Sequence, residues 1–136
     1  MTDVAAMLSA YPAKRPQVDE NMLVICIQEA LNCAQACTSC ADACSADPSA
    51  AHLARCGGAA LNCADMATAV ARVLSRSTPY EPSVAAAALR ALDEACRACY
   101  EECRKHALDM EACQICGEAC RRCGQACQRL LRDGEP

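Results

Sequence analysis

Cys113-Gln-Ile-Cys116-Gly-Glu-Ala-Cys120-Arg-Arg-Cys123-Gly-Gln-Ala-Cys127 carries five thiols at successive steps of three, four, three and four residues. A helix turns once per 3.6 residues, so this alternation keeps every thiol on one stripe, where a bundle ordinarily places Leu or Ile. The stretch predicts a helix with a sulfur-lined inner face. Such a face must pack against others.

The same alternation recurs upstream. A helix over about 18–46 carries Leu23, Cys26, Ala30, Cys33, Cys37, Cys40 and Cys44, and one over about 48–75 carries His52, Cys56, Ala59, Cys63, Met66, Val70 and Val73. A third, over about 82–107, carries Leu89, Leu92, Cys96, Cys99, Cys103 and His106, and the fourth, 110–132, ends in Leu130 and Leu131. Asp47 and Pro48 read as the cap and first residue of the second helix, Pro82 as the opening of the third, and Asp109 as the cap of the fourth. Residues 2–10 read as a short amphipathic helix bearing Val4, Met7 and Leu8, interrupted by Pro12 and Pro16 and covering part of the bundle. Tight turns make consecutive long helices antiparallel. The expected architecture is all-α: one domain over 1–136, an antiparallel up-down-up-down four-helix bundle (18–132) with a short N-terminal helix.

Composition points the same way. The chain has no Phe or Trp and three Tyr, while Ala, Cys and Leu dominate its apolar half, so strand formers are scarce. Fifteen cysteines would suit a secreted disulfide scaffold, but the number is odd and no basic leader precedes an apolar run. Cysteines three or four apart on one helix also have Cβ atoms ~5–6 Å apart, too far for ordinary disulfides. A reducing, cytoplasmic setting is expected, where such patterns serve metal or redox chemistry. A net charge of −4 with mixed signs offers no basic face for nucleic acid, and no apolar run reaches membrane-spanning length.

Antiparallel pairing allows heights to be compared from the turns at Asp47 and Asp109. Cys44, His52, Cys103, His106, Met110 and Cys113 fall near those turns, and Cys37, Cys40, Cys56, Cys96, Cys99, Cys116 and Cys120 further in. Cys26, Cys33, Cys63, Cys123, Cys127 and Met66 come next, and Leu23, Val70, Val73, Leu89, Leu92, Leu130 and Leu131 close the far end. A core of such small side chains would be underpacked, and voids cost roughly 24 cal/mol per Å³, so something is expected to fill it. Buried thiolates call for cations, and soft sulfur ligands select Cu(I), zinc or iron–sulfur clusters. Four Cys-x-x-Cys pairs exist (Cys37/Cys40, Cys96/Cys99, Cys113/Cys116, Cys120/Cys123), but they lie in helical stripes rather than zinc knuckles. The ferredoxin run is absent. Monovalent Cu(I) in quantity, neutralising thiolates one for one at pairs such as Cys33/Cys37, Cys40/Cys44, Cys99/Cys103, Cys116/Cys120 and Cys123/Cys127, fits best. A zinc or general soft-metal buffer and a thiol redox protein are the alternatives.

The Cys-lined pattern from Cys26 to Cys127, with His and Met at one pair of turns, resembles the bacterial copper storage proteins over essentially the whole chain, and their cytosolic branch in particular. The resemblance implies a non-enzymatic store, a homotetramer of bundles, and many Cu(I) ions per chain held by all fifteen cysteines. It implies admission at the His/Met end, with His106 and Met110 as mouth ligands and His52 beside them; copper ions are the expected partners, with a copper chaperone as a candidate donor. Met66 reads as core filler, and Met22 lies beside the stripe. Gly117 and Gly124, each costing a helix about 1 kcal/mol against Ala, read as places where a neighbouring helix comes close.

Overall fold

The computed structural model describes residues 2–13 and 18–133. Five α-helices follow one another: α1 (Val4–Ser9), α2 (Glu20–Ala46), α3 (Ala54–Leu74), α4 (Pro82–Arg104) and α5 (Glu111–Asp133). There is no strand among the described residues. The four long helices form the bundle in which α2 packs on α3 and α5, and α4 on α3 and α5, as an up-down-up-down order requires. The short α1 lies on α2 and buries Leu8 against the core, leaving Met7 exposed. Pro16 lies outside the described residues.

Local chemistry sets the helix ends. Asp19 caps α2, its carboxylate accepting from the Met22 amide at 2.9 Å, and Pro82 sits in the first turn of α4, where its missing N–H costs nothing. Two expected starts are displaced. Asp47 ends α2, and its carboxylate accepts from the Ser49 amide at 2.8 Å, which bends the chain at Pro48 instead of starting a helix there. A 3₁₀ turn over Ala50–Leu53 then crosses the end of the bundle before α3 begins. At the other turn the Met110 carbonyl, not an Asp109 cap, receives the first amides of α5, those of Cys113 and Gln114.

The far end is closed by Leu23, Val70, Leu74, Leu89, Leu92 and Leu130, all buried. On α3 the buried face runs through Cys56, Ala60, Cys63, Ala67, Val70 and Leu74, so Ala59, Met66 and Val73, expected on the stripe, are only half-buried at its edge. Steps of four-three and three-four fit a helix equally well. The choice is made by the side on which α4 lies.

Candidate metal centre

All fifteen cysteines are free thiols pointing into the bundle, none more than 3% exposed. Their sulfurs are neighbours without being bonded. Cys33 Sγ lies 3.7 Å from Cys37, 3.6 Å from Cys63 and 4.0 Å from Cys120, and Cys37 Sγ lies 3.6 Å from both Cys116 and Cys120. Cys56 is 3.7 Å from Cys103 and from Cys113, Cys63 is 3.7 Å from Cys96, and Cys99 is 3.8 Å from Cys116. A disulfide needs about 2.05 Å. Two metal–sulfur bonds of about 2.3 Å opening at roughly 105–120° span about 3.6–4.0 Å, so these gaps accept an ion with little movement.

The sulfurs fall into five groups whose members lie within 4.8 Å of one another. From the turns at Asp47 and Asp109 inward they are Cys40/Cys44/Cys56/Cys113, Cys40/Cys103/Cys116, Cys37/Cys99/Cys116/Cys120, Cys33/Cys37/Cys63/Cys120 and Cys33/Cys96/Cys123. Each group shares at least one cysteine with the next: Cys40, then Cys116, then Cys37 with Cys120, then Cys33. The result is a ladder of shared thiols running down the core. Cys26 and Cys127 extend it beyond these groups, Cys127 interacting with Cys123 and Cys26. No group contains both members of a Cys-x-x-Cys pair, whereas Cys33/Cys37, Cys40/Cys44 and Cys116/Cys120 do share one. Residues four apart stack along the axis closely enough to face one space.

Two thiols sit at heights other than those expected. Cys56 belongs with Cys44 and Cys113 nearest the turns, because residues 47–53 run across the bundle end and leave Cys56 only the third residue of α3. Cys96 joins Cys33 and Cys123 in the deepest group, being nearly as many residues from its turn as Cys33 is from its own.

Protons are unequally shared along the ladder. Thiol donation from Cys103 and Cys40 holds Cys56 down to about 3 against its burial, and donation led by Cys103 holds Cys116 down to about 2. Cys120, as main donor, brings Cys63 down to about 2, and Cys33 and Cys99 are lowered in the same way by Cys120 and Cys103 respectively. Burial, with the charge of Cys56 beside it, pushes Cys113 up to about 12.

At the turn-bearing end His52, exposed on the 3₁₀ turn, meets half-buried His106 edge to face with ring centroids 5.2 Å apart. Met110 is half-buried on the same side. Glu102 is a feature the stripe did not announce. It is the one buried charged side chain among the described residues and accepts from Arg55 Nε at 2.9 Å and Lys105 Nζ at 2.8 Å, tying the start of α3 to the end of α4. Lys105 and Arg55 together hold its carboxyl below the usual range. Met22 and Met66 are half-buried at the edge of the core.

Fold and site together define the class, a helical-bundle metal store built around clustered core thiols. Comparison with known proteins makes the assignment specific: the family model for copper storage proteins matches residues 19–132, and the chain belongs to that family. It is similar to the copper storage protein Ccsp from Streptomyces lividans, whose structure loaded with ten copper equivalents superposes with a TM-score of 0.93 at 49% identity, covering 94% of this chain and 97% of that one. A structure of the S. lividans cytosolic protein with five coppers gives a TM-score of 0.81 at 50% identity, over 82% of this chain and 92% of that one. Among curated proteins no match is found. No helix among the described residues is long and apolar enough to cross a membrane.

Proposed function

We propose that this chain binds and stores many Cu(I) ions in the cytoplasm through its fifteen cysteines, with His106, Met110 and His52 handling ions at the mouth. The observation that carries the reading is the sharing of thiols between successive groups. Structural zinc calls for separate tetrahedral sets, whereas bridging thiolates between monovalent, low-coordinate ions use each sulfur twice. The role is storage and not catalysis, since every thiol that would have to react is walled off in the core. The S. lividans relatives of the same fold are described as loaded with copper, and one as cytosolic. A copper chaperone is the fitting donor, meeting the exposed imidazole of His52 by ligand exchange. The short helix and bundle act as one domain, and the outward Ile25, Leu61 and Ile115 supply apolar surface for a homotetramer.

Anaerobic titration of the reduced protein with Cu(I) tests the proposal. Uptake is expected to approach one ion per thiol, to release protons from raised groups such as Cys113, and to resist competing zinc. Saturation at two or three ions would overturn it.

A further inference from the structure

Four of the five glycines lie among the described residues, and three of them directly follow a cysteine: Cys56-Gly57, Cys116-Gly117 and Cys123-Gly124. None of the described glycines has a positive φ, so none is required by the backbone, and inside a helix each is less stabilising than alanine. What they provide is proximity. An alanine methyl at Gly57 would lie 3.8 Å from Cys44 Cβ, one at Gly117 3.4 Å from Cys103 Cβ, and one at Gly124 3.5 Å from Cys96 Cβ and 3.3 Å from Asp93 Oδ1. In every case the cysteine met is the one that shares a sulfur group with the cysteine preceding the glycine: Cys44 with Cys56, Cys103 with Cys116, and Cys96 with Cys123. Gly58, which follows no cysteine, would meet nothing within 4 Å.

We propose that the three Cys-Gly steps are positioning devices for the bound ions. The cysteine supplies one ligand, and the missing side chain beside it lets the antiparallel partner helix seat its own cysteine close enough to supply another. Two facts support this over ordinary close packing. A cysteine Cβ stands within 3.8 Å at all three steps, beside Tyr100 at Gly117 and Asp93 at Gly124, and the pairing follows the sulfur groups. The device is graded: a methyl at Gly57 would make ordinary contact with Cys44, one at Gly124 would do so with Cys96 and press only on the end of the Asp93 side chain, and one at Gly117 would stand at the tight limit against Cys103 Cβ, where the neighbouring helix itself must give. A metal–sulfur bond does not stretch, so such a shift is taken up by opening the sulfur–metal–sulfur angle and turning the side chains, which weakens the shared contacts. Gly117 matters most in this respect, because Cys116 belongs to two groups.

The inference rests on the copper-storage reading, and its test separates the two. Gly57→Ala, Gly58→Ala, Gly117→Ala and Gly124→Ala are loaded anaerobically beside the parent chain. For each, capacity, competition against a Cu(I) chelator, Cu(I)–thiolate emission and the Tm of the metal-free protein are measured. Gly58→Ala is expected to match the parent in every metal readout, with an equal or higher Tm, and Gly57→Ala to stay close to it. Gly117→Ala is expected to remain folded, to lose roughly tenfold in affinity for part of its copper, and to change emission, while Gly124→Ala is expected to be affected less. Parent-like affinity and emission in Gly117→Ala would overturn the positioning role while leaving storage intact. Failure of Gly117→Ala to fold would overturn it too, since the glycine would then be holding the bundle rather than the ions. A parent chain and Gly58→Ala that saturate at two or three ions would defeat the storage reading itself.

Discussion

Cys116 and Cys26 are equally buried but differ in what they share. Cys116 stands in two sulfur groups, 3.6 Å from Cys37 and 3.8 Å from Cys99, while Cys26 stands in none and has Cys127 as its neighbour. A serine hydroxyl nearly matches a thiol in size but is a poor ligand for a soft ion. Cys116→Ser is therefore expected to lower Cu(I) capacity by more than one ion, and Cys26→Ser by one at most, in parallel anaerobic titrations. Equal losses would mean that the ions occupy separate sites. The thiols themselves were legible in the sequence because a three-four alternation admits no reading but one helical face. Glu102 was not, since it falls one place before Cys103 and owes its burial and its partner Arg55 to another helix, a contact that spacing along α4 does not encode.

At the level of elements, hydrophobic and sulfur periodicity located all four long helices, and the prolines and turn formers separated them. It did not decide the connection at Asp47, where a side-chain bond to Ser49 and a 3₁₀ turn replace the expected helix start and carry Cys56 up to the mouth. Nor could it choose between the Ala59/Met66/Val73 and Ala60/Ala67/Leu74 edges of α3, because that depends on where α4 packs. The α3–α4 junction is secured at the mouth by Glu102 with Lys105 and Arg55, and this makes a pH-dependent prediction. A carboxyl depressed in the fold stabilises it fully above the unfolded value of about 4.3, and the contribution is lost as pH falls through the folded value. Metal-free Glu102→Gln is expected to melt below the parent at pH 7, with the gap closing as the pH is lowered beneath about 4. Thermal unfolding across that range checks it. A gap independent of pH would show that packing of the side chain, rather than its charge, secures the junction.

Taken whole, the molecule is a vessel with unlike ends. His52, His106 and Met110 stand at the mouth, and the opposite end is sealed by Leu92, fully buried, with Leu23, Val70, Leu89 and Leu130 around it. Beyond that seal lies a cavity of about 290 Å³ that Leu23, Leu89 and Leu130 also line, while Val70 and Leu92 lie behind its lining. Apart from Leu8, Ile27, Leu53 and Leu74, the rest of the core is Cys and Ala, which bury little hydrocarbon each, and the metal-free bundle therefore depends heavily on its few large aliphatic side chains. Leu92→Ala is expected to cost the metal-free protein about 2–5 kcal/mol through lost burial and the void left behind. Loading should reverse the loss. Ions bound only by the folded chain stabilise it by mass action, and each sulfur group draws cysteines from three helices, so copper held there would supply cross-links where hydrocarbon is missing. Loaded Leu92→Ala is accordingly expected to melt above the metal-free parent and, since Leu92 stands in no sulfur group, to hold the parent's number of ions. Calorimetry of parent and variant, each with and without Cu(I), measures both effects. A loaded variant that melts where its metal-free form does would show that the ions do not bind the helices to one another.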